Sequence, residues 1–301
     1  MICSGVAQAL ALIAAAMPHS TIAVEDPGLP VHRTILTEHG AELVAMPVDA
    51  DGPRVDELPT LASPRSIAAA VVTPAHQSPT GVALSAPRRA RLLDWAAGAG
   101  AVIVEDDYDA EFRYDRAPLG ALQGLAPERV VYLGTVSKSL APALRLGWMV
   151  LPARLLDAVV HRKLMSDHGS ATLDQLALAR LLDSGAYDRH LRAARRRYRA
   201  RRDALVAAVA HHLPGARVTG LAAGLHATVR LAEPVDGRAL IGAAAARSVG
   251  VYPLGYAYLT PRPVDDGLVL GYANLAEPAI EEGIRRLALA LAELPPGPDP
   301  T

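Results

Sequence analysis

Residues 132–152 read YLGTVSKSLAPALRLGWMVLP, and this stretch decides the fold class. The apolar run Val130–Gly134 stops at Thr135, Ser137 and Lys138, and after a proline-containing turn a second apolar run, Gly147–Leu151, follows. Working upstream, similar short runs occur at Thr21–Val24, Leu43–Val48, Ala69–Thr73 and Val102–Glu105, with helical stretches between them. Strands alternating with helices at this spacing predict an α/β fold with a mostly parallel sheet and flanking helices. Several runs close on polar or Gly/Pro clusters: Glu25-Asp26-Pro27-Gly28, Thr73-Pro74, Glu105-Asp106-Asp107 and Gly134 to Lys138. In open α/β sheets ligands sit beyond the carboxyl ends of the strands, so these clusters predict one site assembled from distant segments.

Outward from this region the pattern changes. The alanine-rich stretch Val6–Met17 reads as a buried helix, and from about Leu155 long helices dominate, with Asp188–His212 the most evident. His226–Leu231, Val249–Pro253 and Gly267–Tyr272 then read as strands, and Pro278–Leu294 as a closing amphipathic helix. The expected organisation is a large domain over 1–190, a smaller C-terminal α+β domain over 191–294 and a frayed tail over 295–301.

Composition removes several function classes. The 301 residues are 51% hydrophobic and 20% charged, which excludes a disordered chain. A net charge of −1 gives no overall field for polyanions, so no direct nucleic-acid binding is expected. The arginines from Arg192 to Arg202 read as the solvated face of a linking helix. Val6–Met17 falls short of the ~20 residues that span a bilayer, and no basic residue precedes it, so no membrane association is expected. The single cysteine, Cys3, reads as a small buried hydrophobe, and the histidines, His76 and His226 among them, stand singly without zinc spacing. This usage fits a reducing cytoplasm.

Lys138 is poorly placed for core packing. A lysine amine becomes nucleophilic when desolvation or nearby positive charge lowers its pKa from ~10.4, and it then forms Schiff bases with carbonyl cofactors such as pyridoxal phosphate. Such a site also needs an acid for the pyridine nitrogen, a donor for the ring hydroxyl and a phosphate cup. Asp106, at the end of the run AVIVEDD, can supply the acid, and Tyr108 the donor. Arg145 offers a planar fork for phosphate, and Thr135 and Ser137 add hydroxyls. Gly5, Val6 and Ala7 open a helix, where free N–H groups favour an anion. Taken alone, Lys138 and Arg145 read equally as an ion-pairing set at a sheet end. Asp107, Asp109 and Glu111 read as solvated acids.

TPAHQSPTG, VEDDYDAEFRYD and YLGTVSKSLAPALRLGWMVLP, in this order, resemble the fold type I aminotransferase superfamily. They are most similar to the aminotransferase-like domain of MocR/GabR-type regulators of the GntR family, and the similarity runs from ICSGVAQAL to GYANLAEPAIEEGIRRLA. The resemblance implies pyridoxal 5'-phosphate as cofactor, Lys138 as the Schiff-base lysine, Asp106 as the pyridinium partner and Tyr108 as the hydroxyl donor. It implies a phosphate cup of Arg145, Thr135, Ser137 and the Gly5–Ala7 backbone. Ser78 stands where ordinary aminotransferases carry an asparagine, with His76 and Gln77 beside it in roles the sequence does not assign. A homodimer and a small amino compound or amino acid as ligand are implied in the same way.

Departures from the family pattern bear on activity. Leu29 stands where an aromatic normally stacks on the ring, and Val269 where the substrate-carboxylate arginine is expected. Arg33 and Arg262 are the alternatives for that carboxylate. Nothing corresponds to the segments that normally precede the glycine-turn helix, and no winged-helix domain is seen. Three functions stay open: an effector-sensing domain of a MocR-type regulator, an active aminotransferase, or a truncated domain without function.

Overall fold

Successive residues of the apolar runs face different cores. Ile22 and Val24 pack in one and Ala23 in the other; Val102 and Val104 join the first, Ile103 the second. A strand covered on both faces needs continuous rather than alternating hydrophobicity, and that is why these runs are unbroken. The computed structural model describes residues 1–61, 66–113, 120–220, 223–260 and 264–295. The expected tail beyond 295 and Arg262 lie outside them.

The elements run β1 (Ile2–Cys3), α1 (Val6–Ala16), β2 (Thr21–Asp26), α2 (Pro30–Glu38), β3 (Glu42–Asp49), β4 (Gly52–Pro53), α3 (Leu58–Leu61), β5 (Ile67–Val72), α4 (Ala86–Ala99), β6 (Val102–Asp107), β7 (Val130–Thr135) and β8 (Gly147–Val150). After them come α5 (Ala153–Asp167), α6 (Thr172–Asp183), α7 (Ala186–His212), β9 (Arg217–Thr219), β10 (His226–Asp236), α8 (Gly237–Ala245), β11 (Tyr252–Pro253), β12 (Val264–Gly271) and α9 (Glu277–Ala292). The first eight strands form one sheet in the order β1-β8-β7-β6-β5-β2-β3-β4. β7, β6, β5, β2 and β3 are mutually parallel, while β8 and β4 pair antiparallel at the two sides. The α/β architecture with a mostly parallel sheet is therefore as expected.

Helices cover both faces. Leu10 and Ile13 of α1, Leu36 of α2 and Val159 of α5 close one core, and Leu58 of α3 with Leu92 and Ala96 of α4 close the other. A second, antiparallel sheet, β11-β12-β10-β9, packs Val229 and Leu268 against Leu205 and Val209 of α7 and Ile284 and Leu287 of α9. β10 extends past the expected Leu231 to Asp236, with a break in its register against β12 between Arg230 and Val235. Pro234, lacking an N–H, lies inside that break. α7 runs unbroken through residue 190.

The arginines of α7 are not all solvated. Arg195 donates to Glu111 O and Arg201 to Ala273 O, so the helix clamps two loops, while Arg192, Arg196, Arg197 and Arg199 are exposed. Among the described residues no helix is long and apolar enough to cross a membrane.

Candidate functional site

The parallel strands β2, β5, β6 and β7 all end on the same edge of the sheet, and a cavity of about 480 Å³ opens there against the small sheet. Its lining gathers Val6, Ala7, Leu29, Ser78, Asp106, Tyr108, Thr135, Ser137, Lys138 and Arg145 from segments spread over 140 positions of sequence. Gly5 adjoins this group, because a Cβ placed on it would lie 3.5 Å from the Arg145 guanidinium. The expected cofactor-binding residues thus converge, whereas Arg33 is not in the lining and Arg262 lies outside the described residues.

Asp106 is the penultimate residue of β6 and is 2% exposed. Its Oδ2 lies 3.4 Å from His32 Nε2, and its Oδ1 is buried without a hydrogen-bond partner among the described residues. Burial first, then the neighbouring charges of Asp107, Asp109 and Glu25, hold this carboxyl well above its ordinary range. A cation brought into the cavity would reverse that balance. Burial lowers His32 to about 4, so at neutral pH it meets Asp106 as a neutral imidazole.

Tyr108 donates to His76 O at 3.1 Å. Burial, followed by Asp109 and Asp106, raises its hydroxyl well above the usual tyrosine range, with a Ser78 hydrogen bond opposing. The phenol therefore stays protonated, its one hydrogen directed at His76 O until a stronger acceptor enters the cavity. Ser78 is fixed by its own N–H to Thr73 Oγ1 at 3.2 Å. Gln77, fully buried, holds the turn: its amide donates to Glu25 Oε2, Pro27 O and Ser78 O, and its Oε1 accepts from Thr80 N and Oγ1.

At the other end of the cavity α1 begins. Gly5 precedes it with φ 84°, and the first turn carries no acidic side chain, which leaves the helix's positive end uncompensated. Arg145, in the left-handed region at φ 48°, donates to Ser4 O at 2.6 Å. Thr135 Oγ1 donates to Leu146 O at 3.2 Å and accepts from Ser137 N at 3.1 Å. Lys138 stands exposed on the loop between β7 and β8. That loop is tied to α7, since Tyr187 donates to Ser139 Oγ at 2.8 Å and His190 Nε2 lies 2.7 Å from Ser139 O.

Some expectations change. Asp109 is buried and bonds His76 Nδ1 at 2.8 Å, Asp107 accepts from Tyr132 at 2.8 Å, and Glu111 accepts from Tyr187 at 3.4 Å, so none of these acids is simply solvated. Arg33 is spent on structure: it donates to Ala257 O and Gly28 O and pairs with Asp26, away from the cavity lining. Leu29 lines the cavity as an aliphatic wall with Val31 and Ile35. Val269 lies on the same strand face as Gly271, which borders the cavity, and brings no charge to it. Cys3 is buried, as expected.

Sequence reading missed His32 and His226, both in the lining. His32 could have been found, because a residue three positions after Leu29 shares its helix face. His226 depends on the pairing of β10 with β12, and nothing local announces it.

The aminotransferase class I and II family profile matches residues 1–262. The chain is 36% identical over 279 residues to the uncharacterized HTH-type transcriptional regulator YhdI of Bacillus subtilis, covering 92% of this chain and 58% of that protein. It is 35% identical over 273 residues to the probable rhizopine catabolism regulatory protein MocR of Rhizobium meliloti, covering 90% and 54% respectively. The chain thus spans little more than half the length of these regulators. LysN, the α-aminoadipate aminotransferase of Thermus thermophilus, solved with N-(5'-phosphopyridoxyl)-L-leucine, matches at a TM-score of 0.89 with 29% identity, over 97% of this chain and 76% of that one. The order of the three motifs, the fold type I architecture and these likenesses agree: the chain belongs to the class I and II aminotransferases, in the branch shared with MocR-type regulators, and its family cofactor is pyridoxal 5'-phosphate.

Proposed function

We propose that this chain binds pyridoxal phosphate and uses it to sense a small amino compound, as the effector part of a MocR-type regulator, with two copies forming a dimer. The observation that carries the cofactor reading is Asp106 Oδ1, a buried acceptor without a partner among the described residues, in the wall of a cavity that also presents Lys138 and Arg145. A protonated pyridine nitrogen is the cationic donor that such an atom lacks. In this reading Lys138 is the point of attachment, and Tyr108 and Ser78 donate to the ring hydroxyl oxygen. Arg145, Thr135, Ser137 and the Gly5, Val6 and Ala7 backbone hold the phosphate, and Leu29 contacts the ring face. Bound there, the cofactor supplies an electron sink for chemistry next to an amine.

Sensing rather than turnover is favoured by two lost contacts. Leu29 gives the ring no aromatic face, and Val269 gives a substrate carboxylate no bidentate partner; both weaken positioning more than cofactor binding. Active transamination is the second reading, supported by the intact set Lys138, Asp106 and Tyr108 and by the likeness to LysN.

Borohydride reduction of cofactor-loaded protein tests attachment: a covalent adduct is expected in the parent and none in Lys138→Ala, and an adduct at full stoichiometry in the variant removes Lys138 from this role. A panel of amino donors with 2-oxoglutarate and pyruvate separates the two readings. Spectral change on adding an amine with little turnover is expected, whereas rates of ~1 s⁻¹ or faster, in the ordinary enzyme range, favour the aminotransferase.

A further inference from the structure

β10 carries a titratable group to the cavity from the small-sheet side. Of the small-sheet residues lining it, Leu225, His226 and Gly271, only His226 can bear charge. Its Nε2 is buried without a hydrogen-bond partner among the described residues. Its ring centroid lies 5.3 Å from that of His76, which is itself buried. Behind His76, Nδ1 bonds Asp109 Oδ2 at 2.8 Å. The assembly is closed in, because a Cβ on Gly224 would fall 2.1 Å from His76 Cε1. His76 is therefore packed against the Gly224 backbone.

This row behaves as one coupled acid. Burial lowers His76, but the charge and hydrogen bond of Asp109 outweigh it and the net shift is upward. Burial and then His76 itself lower His226 to about 4. The pair thus holds its first proton on His76 and refuses a second. The charged groups facing it are Asp109 and Arg113 around His76 and Lys138 near His226, with the Tyr108 hydroxyl 3.2 Å from His76 Nδ1 and Asp106 in the same cavity wall. A negative charge delivered to the cavity side of His226 would offset His76 and make the second proton favourable.

Resting on the cofactor and amino-compound reading above, we propose that His226 recognises an acidic substituent of the ligand and takes up one proton from solvent as that carboxylate arrives. The imidazole becomes a charged donor only when its anion is present. Ligand preference would then lie with amino compounds bearing a carboxylate, despite the uncharged Val269.

The test uses cofactor-loaded protein and two probes without an amine, glutarate and its neutral counterpart glutaramide, so that no proton exchange arises at the cofactor. Cofactor absorbance is read first. Calorimetry at pH 7 in two buffers of different ionisation heat should show about one proton taken up with glutarate and none with glutaramide, and glutarate affinity should fall about tenfold in all as pH rises above 7. The His226 ring resonance, assigned by its loss in His226→Gln, should move to the imidazolium position on adding glutarate. In His226→Gln, with cofactor absorbance retained, the uptake and the pH slope should vanish and glutarate binding weaken about tenfold. Glutarate binding without proton uptake, uptake that survives in His226→Gln, equal uptake with glutaramide, or no binding of glutarate by loaded parent overturns the assignment. A parent that holds no cofactor overturns the underlying reading and this one with it, and the absorbance distinguishes that case before any probe is added.

Discussion

Glu25 accepts from Thr73 N at 2.9 Å, Thr73 Oγ1 at 2.6 Å and Gln77 Nε2 at 3.1 Å. These bonds favour its charged form, yet burial outweighs them and raises the group from 4.5 to about 7. Between those two values the unfolded chain is ionised at this position while the folded one keeps its proton, so folding takes up a proton. Stability from this group is full below pH 4.5 and is lost as pH rises through 7, by about 3 kcal/mol at ~1.36 kcal/mol per pH unit. Glu25→Gln should remove that part of the slope. Asp106 is shifted in the same direction, so the quantity to read is the difference between parent and variant in denaturant midpoints at pH 5 and pH 7.5. Equal slopes would show that Glu25 is ionised in the fold. The residue scale is also where sequence reading was most uneven. Lys138, Asp106 and Arg145 were legible because each interrupts an apolar strand-end pattern with a group that packs badly. His226, His76 and Asp109 were not, because their chemistry exists only across 33 positions in one contact and 150 in another.

At the scale of elements, the start of α1, the end of β7 and the start of β8 meet without side chains between them. A Cβ on Gly147 would lie 2.8 Å from Gly134 O and 2.9 Å from Gly5 Cα, and one on Gly134 would enter the Trp148 indole at 2.3 Å. Backbone cannot yield as a flexible side chain can, so Gly147→Ala should push α1 away from Arg145. The expected result is a loss of about 1–3 kcal/mol of stability from overpacking, with weaker cofactor retention as the helix N–H groups move. Gly98→Ala is the control: it lies in α4 with nothing near its Cβ position, and by helix propensity it should gain up to ~1 kcal/mol. Melting curves of both variants decide the matter, and equal effects would mean that the close approach has no energetic consequence. The strands were legible because burial on both faces imposes continuous apolar runs. Their ends were less so, since Val249–Pro253 keeps only Tyr252 and Pro253 as strand, and isolated apolar residues give no register.

At the scale of the whole molecule, α5 and α6 expose much of the apolar side-chain area among the described residues. On α5, Leu156, Val160 and Leu164 repeat every four residues along one face, with Met165 beside them, and α6 adds Leu173, Leu176 and Leu182. α6 buries none of its side chains. Leu173 is 80% exposed and Met165 59%, and clustered exposure of this kind marks an interaction surface rather than the scattered apolar residues of an ordinary exterior. The surface adjoins the cavity through α1 and β1: Gln8 of α1 donates to Asp167 at 2.7 Å, Lys163 pairs with the same carboxylate at 2.6 Å, and Ser170 donates to Ile2 O of β1 at 3.5 Å. A second copy seated on α5 and α6 would therefore brace the helix whose first turn is assigned to the phosphate. Leu164→Glu combined with Leu176→Glu places unpaired charge on the face while leaving the cores untouched. Sedimentation should show a dimer for the parent and a monomer for the double variant, and the monomer should retain cofactor less well through gel filtration. A monomeric parent would assign the surface to some other occupant, and a dimeric double variant would place the dimer contact elsewhere on the molecule.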